Sequence, residues 1–387
     1  MAVTDRTPAA ATTPLPTWDR RLERFSWLGV PLVIYAVSRL GQILVLSWMS
    51  STPVVDQLVR WDGGWYLSVA EQFYPDGVYR HNGHQGFEGF AFFPTYPLLV
   101  RGVHEVTRLD YASAALVASW LAAAVAAAVV YALGTRLYDA RVGAALCALF
   151  CAQPMSLVLS MAYSEGLFVA LAAGALLAAY RRAWLTASSL AFLCGLTRPT
   201  GVAVGVAVAL AAGLELRRGG RPRWRPVLAA GFALSGVPAY LIFVALRRGS
   251  WHAWFDIQSA GWGSTFDFGA AIGRFVLNSL QSGDGWVELS VSLLLVAAVV
   301  CGVLTVTMRL WPPLVAYGLL ALVLVLGQSG FYHSKPRLLV PVFVLLVPAA
   351  VALGRARRST AMLVLLGYGA FGLWYGSDLL TVWHFAI

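Results

Sequence analysis

Residues 58–108 read LVRWDGGWYLSVAEQFYPDGVYRHNGHQGFEGFAFFPTYPLLVRGVHEVTR, the longest polar interval in a chain that is otherwise mostly apolar. Several acidic residues, the histidines His81 and His84, and many aromatic residues are concentrated in this interval. Long loops between apolar segments commonly carry binding or catalytic residues, because connections in compact domains are otherwise short. We therefore interpret this loop as the functional part of the chain and the rest as the scaffold that positions it.

The composition indicates a polytopic membrane protein. Hydrophobic residues make up 59% of the 387 positions and charged residues only 12%, with a mean hydropathy of +0.70. A soluble domain carries about 25% charged residues. Apolar runs recur along the whole chain, which predicts an all-α fold. The prediction is about eleven transmembrane helices, at 27–49, 111–133, 142–161, 164–180, 184–197, 200–216, 227–246, 287–307, 312–327, 337–353 and 360–380.

The distribution of arginine predicts the orientation in the membrane. The net charge of +10 comes almost wholly from arginine, and Lys335 is the only lysine. Arginines lie before the first predicted span and after the second, fourth, sixth, eighth and tenth, which is one side of the membrane if every segment crosses. The positive-inside rule then predicts a cytoplasmic N-terminus and an extracytoplasmic loop at 50–110. The excess charge is a topology signal, and no nucleic-acid partner is indicated.

The chain divides into a short tail and one membrane domain. Residues 1–24 are rich in Pro, Thr and Ala before a charged run, which predicts a disordered cytoplasmic tail. Residues 25–387 are predicted to form a single integral-membrane domain. In its large loop, Gly64–Phe73 and Pro97–Val106 have helical apolar spacing and are predicted to lie at the membrane interface. We also expect an aromatic belt against lipid from Trp61, Trp65, Tyr66, Phe90, Phe92, Phe93 and Tyr96.

Asp62 is the leading candidate for a catalytic residue. It follows Arg60-Trp61 and precedes Gly63-Gly64, about a dozen residues beyond the first span. A carboxylate beside a positive charge and two flexible glycines can act as a general base on a sugar hydroxyl. An ordinary loop aspartate that pairs with Arg60 or caps the helix from Gly64 fits the same spacing.

Two further charged residues lie within or beside apolar segments. Glu165 follows Ser164 in a turn, where it either completes a helix N-terminus or faces the same cavity as Asp62. Arg39 lies inside the first span, and a charge at that depth costs about 2.5–3.5 kcal/mol on insertion scales. We therefore expect Arg39 to meet a partner, either a carboxylate or a lipid phosphate.

Three cations are predicted to face outward near the ends of spans: Arg198, Lys335 and Arg337. Cations at such sites can hold a lipid-linked phosphate, or they can extend to the interface with no binding role. His81, His84 and Glu88 lack clear metal-ligand spacing, so no metal or other cofactor is indicated. No nucleotide-binding motif is present, which favours a donor that arrives lipid-linked or already activated.

The chain resembles the bacterial branch of the PIG-V family, the second mannosyltransferase of GPI-anchor synthesis. The resemblance covers essentially the whole chain after the tail. The residues that carry it are Arg60-Trp61-Asp62, Phe92-Phe93-Pro94-Thr95-Tyr96-Pro97, Tyr163-Ser164-Glu165, Leu196-Thr197-Arg198-Pro199-Thr200-Gly201 and Ser334-Lys335-Pro336-Arg337.

This resemblance implies the fold of the GT-C superfamily of glycosyltransferases. It further implies a polyprenyl-phosphate sugar as donor, usually mannose, transfer with inversion, and Asp62 as the catalytic base. Asp62 is followed by Gly63 rather than a second acid, which disfavours a paired-carboxylate metal site. We expect substrate contacts from Arg60, Trp61, Glu165, Arg198, Lys335, Arg337 and Arg39.

The sequence also indicates the type of source organism and leaves two alternative functions open. High usage of arginine and alanine is typical of a GC-rich bacterium, so we expect the inner membrane as the location. Such cells lack GPI anchors, and the acceptor is expected to be another extracytoplasmic glycolipid, glycan or protein. One alternative is a lipid or glycolipid transporter that uses Arg39 as a gate. The other is a non-catalytic membrane partner that docks through its large loop.

Overall fold

The computed structural model describes residues 17–74, 79–81, 84–217, 224–283 and 285–383. Within these residues the chain is helical apart from connecting loops and one antiparallel pair of short strands, β1 (Tyr79–His81) and β2 (His84–Phe87). The helices are α1 (Thr17–Met49), α2 (Val54–Leu58), α3 (Asp62–Gln72), α4 (Thr95–Thr107), α5 (Tyr111–Leu137), α6 (Ala140–Ala152), α7 (Glu165–Tyr180), α8 (Trp184–Gly195), α9 (Gly201–Arg217), α10 (Trp224–Leu234), α11 (Gly236–Arg248), α12 (Ala253–Trp262), α13 (Ala270–Ser282), α14 (Trp286–Thr307), α15 (Pro312–Leu326), α16 (Lys335–Leu339), α17 (Val347–Arg355) and α18 (Arg358–Thr381).

Each of the eleven predicted apolar segments contains an α-helix, although the helix in the segment predicted at 142–161 ends at Ala152, and the lengths fall into three groups. Four described helices are long and apolar enough to cross a bilayer: Leu28–Met49 within α1, α5, α14 and α18. Two more segments are bent pairs, α10 with α11 at 43° and the stretch around α16 with α17 at 75°. The other five, α6 to α9 and α15, are shorter apolar helices of 12 to 17 residues. The all-α membrane fold is confirmed, and the number of crossings stays a prediction.

Close contacts between small residues pack the helices that carry the site. A Cβ on Gly166 would lie 3.0–3.2 Å from Ala123, so α7 approaches α5 closely just after Glu165. A Cβ on Gly201 would lie 2.5 Å from the Cys194 carbonyl oxygen, where α9 turns back against α8. Small residues allow this approach between helices in a membrane. The predicted helix break at Pro199 and Gly201 is confirmed, because α8 ends at Gly195 and α9 begins at Gly201.

The large loop is packed onto the helices through its aromatic residues. The predicted helices at 64–73 and 97–106 are present as α3 and α4. The predicted aromatic belt is wrong for several of its members, since Tyr66, Phe90, Phe93 and Tyr96 are buried in a second hydrophobic core. Tyr240 of α11 fixes this core, because its hydroxyl oxygen lies 2.8 Å from both the Phe90 and the Phe92 carbonyl oxygens and its one hydrogen is shared between them. Buried hydrogen-bonded aromatics fix a loop far more firmly than lipid contact would.

The predicted tail lies mostly outside the described residues. Residues 1–16 are not described, and α1 begins at Thr17, inside the segment predicted as disordered. His81 and His84 of the large loop lie on β1 and β2, where they are paired in the strand register. Glu88, just after β2, forms an ion pair with Arg248 at the end of α11. No group of three metal-ligating side chains occurs within the described ranges.

Candidate active site

Asp62 lies at the start of α3 and points into a cavity. Its Oδ2 atom is 2.7 Å from Nη2 of Arg337, a charge-assisted contact between two parts of the chain that are distant in sequence. The predicted alternative partner, Arg60, instead donates from Nη1 to Oε1 of Gln57 at 2.9 Å. The Asp62 side chain is 23% exposed. It is therefore held by one cation and remains accessible to a ligand.

Glu165 is the second carboxylate of the site and lies behind the cavity wall. Its side chain is 1% exposed, at the first position of α7, where the helix dipole favours a negative charge. Oε1 is 2.6 Å from Nη1 of Arg198 and 3.8 Å from Nε of Arg337. The prediction that Glu165 faces the same cavity as Asp62 is wrong, because it does not line that cavity. Its position instead allows it to hold two guanidinium groups in place.

Arg198 and Arg337 are fixed from several directions. Burial lowers the pKa of Arg198, but the charge and hydrogen bond of the Glu165 carboxylate, together with Tyr66, outweigh burial and raise it. Arg198 also donates from Nη1 to the Ser164 hydroxyl at 3.4 Å. The Arg337 guanidinium lies over the Tyr163 ring, 5.1 Å from its centroid. Both arginines are thus permanently charged and held against the cavity.

Lys335 lines the cavity but its donors are engaged by the protein. Nζ donates to the carbonyl oxygens of Val325 at 3.1 Å, Gln328 at 2.5 Å and Ser329 at 3.2 Å. An ammonium group has three hydrogens, so these bonds use all of them. The side chain is 1% exposed. Lys335 therefore holds the segment after α15 against the cavity and adds positive charge to it.

The cavity has a volume of about 150 Å³ and joins residues from five parts of the chain. Asp62, Arg198 and Arg337 lie together on one side. The described polar and aromatic residues around them include Tyr66, Phe92, Gln258, Trp262, Ser264, Gln328, Ser329 and Lys335. With the three cations against Asp62 and Glu165, the net charge is positive, which favours an anionic ligand.

Tyr66 belongs to the site although sequence reasoning missed it. It lies one helical turn after Asp62 on α3, so both side chains lie on the same helix face. Its hydroxyl is 2.7 Å from the Ser164 hydroxyl. Burial raises the pKa of Tyr66 to about 12, so the phenol stays protonated. The i, i+4 spacing from Asp62 was the available signal, whereas nothing local in sequence indicated Gln258 or Trp262.

Besides Glu165, three predicted substrate-binding residues do not line the cavity: Arg60, Trp61 and Arg39. Arg60 is exposed and lies over the Trp61 ring, 5.4 Å from its centroid. Trp61 packs against the main core. Neither residue is placed to contact a ligand held by Asp62.

Among the described residues Arg39 pairs with no carboxylate, and protein carbonyl and hydroxyl oxygens are its partners instead. It is 5% exposed and donates to the carbonyl oxygens of Cys151 and Ser156, both at 2.6 Å, and to the Ser160 hydroxyl at 2.9 Å. A guanidinium group satisfied by carbonyl oxygens can remain charged in the interior. Arg39 therefore fixes α1 to the segment that leads into α7.

Comparisons with known proteins identify the fold. Two crystal structures of ArnT from Cupriavidus metallidurans match, each with a TM-score of 0.55. The apo structure is 18% identical over 87% of this chain, and the structure bound to undecaprenyl phosphate is 17% identical over 89%. This chain spans 61% and 63% of those ArnT chains. The archaeal oligosaccharyltransferase AglB from Archaeoglobus fulgidus, in complex with an inhibitory peptide and a dolichol-phosphate, gives a TM-score of 0.49 at 14% identity, over 93% of this chain and 56% of that one.

The fold is therefore that of the GT-C membrane glycosyltransferases. No family model and no curated protein sequence matches the chain. The GT-C fold predicted from the resemblance is confirmed, and the narrower likeness to the PIG-V family remains a resemblance.

Proposed function

We propose that this protein is a membrane glycosyltransferase that takes its sugar from a polyprenyl phosphate and transfers it to an extracytoplasmic hydroxyl. The observation that carries this proposal is the cavity in which one accessible carboxylate, Asp62, lies beside two fixed guanidinium groups, Arg198 and Arg337. A phosphate leaving group needs the cations, and an acceptor hydroxyl needs the base. The ArnT structure that holds undecaprenyl phosphate gives independent support for a lipid phosphate as ligand.

The proposed reaction is a single displacement at the anomeric carbon. Asp62 accepts the proton of the acceptor hydroxyl, and the acceptor oxygen forms a bond to that carbon. The bond between the carbon and the phosphate oxygen breaks, and polyprenyl phosphate leaves with its electron pair. Arg198 and Arg337 stabilise the charge that develops on the leaving phosphate. Attack from the face opposite the leaving group inverts the anomeric configuration.

Arg337 has two partners in this mechanism. In the structure its Nη2 contacts Asp62, and a donor phosphate in the same cavity competes for that guanidinium. Release from Arg337 frees the Oδ2 atom of Asp62 to accept the proton of the acceptor hydroxyl. Donor binding therefore prepares the base, and we expect the donor to bind before the acceptor is deprotonated.

The sugar is proposed to be mannose, on the strength of the resemblance to the PIG-V family alone. The full-length purified protein should transfer mannose from polyprenyl-phosphate mannose to acceptors extracted from membranes of a deletion strain. Transfer should proceed without any nucleotide sugar, and mass spectrometry of the glycolipids and glycoproteins identifies the product. Transfer from GDP-mannose with lipid-linked donor excluded would contradict the proposal. Efficient use of polyprenyl-phosphate glucose in place of mannose would correct the sugar alone.

The orientation is proposed from the arginine distribution, with the cavity outside a bacterial inner membrane. Ser51 and Ser359 are exposed at opposite predicted sides, and Cys147, Cys151 and Cys194 are buried. In intact cells an impermeant thiol reagent should label Ser51→Cys and not Ser359→Cys, above the wild-type background. The reverse labelling would overturn the orientation.

The transporter alternative depends on Arg39 as a gate, and the packing disfavours it. The described contacts of Arg39 are to protein oxygens in a closed interior. A gate requires a polar path to that charge. The docking alternative gains no specific support, because many described aromatic residues of the loop are buried in the second hydrophobic core: Tyr66, Tyr74, Phe90, Phe92, Phe93 and Tyr96.

A further inference from the structure

A second cavity lies at the far end of the α7 helix from the candidate active site. α7 has 16 residues, so at 1.5 Å per residue this end is about 24 Å from Glu165. The cavity has a volume of about 510 Å³, within the range of small-molecule sites. Its described lining includes Tyr180, Arg182, Trp184, Glu215 and Trp311. None of these residues takes part in the proposed transfer reaction.

The charged residues of this cavity form one pair of opposite sign. Nε of Arg182 is 3.3 Å from Oε2 of Glu215. The Arg182 side chain is 59% exposed, so its terminal amino groups can reach an anion. The Glu215 side chain is only 13% exposed and lies in the last turn of α9, where the helix dipole disfavours a negative charge. Glu215 is therefore a carboxylate that an additional cation would stabilise.

The helix ends around the cavity carry both signs of partial charge. α7 ends at Tyr180 and α9 ends at Arg217, so two C-terminal ends meet there. α8 begins at Trp184, which adds one N-terminal end with free N–H groups. α15 also begins there, but Pro312 and Pro313 carry no N–H. Helix C-terminal ends favour cations and N-terminal ends favour anions. A ligand with one charge of each sign fits this arrangement better than a purely anionic one.

Three aromatic side chains complete the cavity: Tyr180, Trp184 and Trp311. The Tyr180 and Trp311 rings meet edge to face, with centroids 5.3 Å apart. Trp and Tyr at the ends of apolar helices are typical of the headgroup layer, and their faces attract ammonium groups. We propose that this cavity binds the headgroup of a zwitterionic phospholipid, with the phosphate on Arg182 and the ammonium group on Glu215 and the aromatic rings.

Native mass spectrometry of the full-length protein, delipidated and mixed with equimolar phosphatidylethanolamine and phosphatidylglycerol, tests this proposal. The wild-type protein should retain phosphatidylethanolamine about tenfold better. Glu215→Gln should weaken its retention roughly tenfold and remove the preference, the loss expected for one hydrogen bond to a charged group. Arg182→Gln should weaken both lipids.

The matched control is Glu105→Gln, because Glu105 also pairs with an arginine, Arg108 at 3.2 Å, but on an exposed surface. It should retain lipid as the wild type does. Equal retention of the two lipids by the wild type, or an unchanged preference in a folded Glu215→Gln variant, would overturn the proposal. If Glu215→Gln does not fold, the wild-type comparison alone decides. None of these outcomes depends on sugar transfer, so they are separable from the proposed function.

Discussion

Arg337 and Arg39 are both buried arginines in apolar surroundings, yet their partners differ in kind. Arg39 is satisfied by carbonyl and hydroxyl oxygens in a sealed interior. Arg337 contacts Asp62, a carboxylate that also lines a cavity. An arginine whose partners are all neutral protein oxygens has a structural role. An arginine paired with a carboxylate that a ligand can reach is available to bind that ligand. Burial of a charge therefore does not define a site, and the accessibility of its partner does.

The largest effect is expected from Asp62→Asn, because it removes proton acceptance at the accessible carboxylate. A general base contributes typically 10²–10⁴-fold to rate, so kcat should fall by about that factor. The measurement is the initial rate at saturating donor, beside a melting curve. Asp56→Asn is the control, since Asp56 is exposed in the first turn of α2. Near-normal kcat in Asp62→Asn would remove the catalytic assignment.

The next largest effect is expected from Arg337→Lys, which keeps the charge but loses the planar fork. Losing one charge-assisted hydrogen bond of about 1.5–3 kcal/mol should lower kcat/KM for the donor roughly 10- to 150-fold. The loss should appear mainly in kcat/KM for the donor, and KM for the acceptor should change little. An unchanged donor kcat/KM would show that the phosphate is held elsewhere.

The smallest effect on activity is expected from Arg39→Lys, which should lower the stability of the protein and leave its activity unchanged. An ammonium group cannot reach the same three oxygens as the guanidinium, so stability should fall by about 2–3 kcal/mol. The melting temperature should drop, while kcat and donor KM per folded molecule stay near wild type. A loss of kcat at normal stability would contradict the purely structural role of Arg39.

The sequence predicted which segments would be helical and that Asp62, Arg198, Lys335 and Arg337 would lie in one site, but it wrongly added Arg39 and Arg60. Periodicity located α3 and α4, and Pro199 with Gly201 located the break that presents Arg198. Asp62 lines the cavity, but its catalytic role was predicted from a short motif and remains a prediction. Local patterns fail for contacts between distant segments, because tertiary packing decides them.

Three particular residues show that limit. Nothing near Lys335 in sequence indicates that the carbonyl oxygens of Val325, Gln328 and Ser329 would take all its hydrogens. The partners of Arg39 lie on a segment more than a hundred residues away. The burial of Tyr96 depends on Ser119 of α5, 2.7 Å from its hydroxyl, and on the fit of the loop to the helices.

The central claim is that Arg337 is shared between Asp62 and the donor phosphate, and donor affinity in Asp62→Asn tests it most directly. Equilibrium binding of polyprenyl-phosphate mannose to the purified variant should be as tight as in the wild type or tighter, because the competing carboxylate charge is gone. Single-turnover transfer from that bound donor should be slowed by about 10²–10⁴-fold. Weaker donor binding, with transfer from the bound donor at the wild-type rate, would contradict the account.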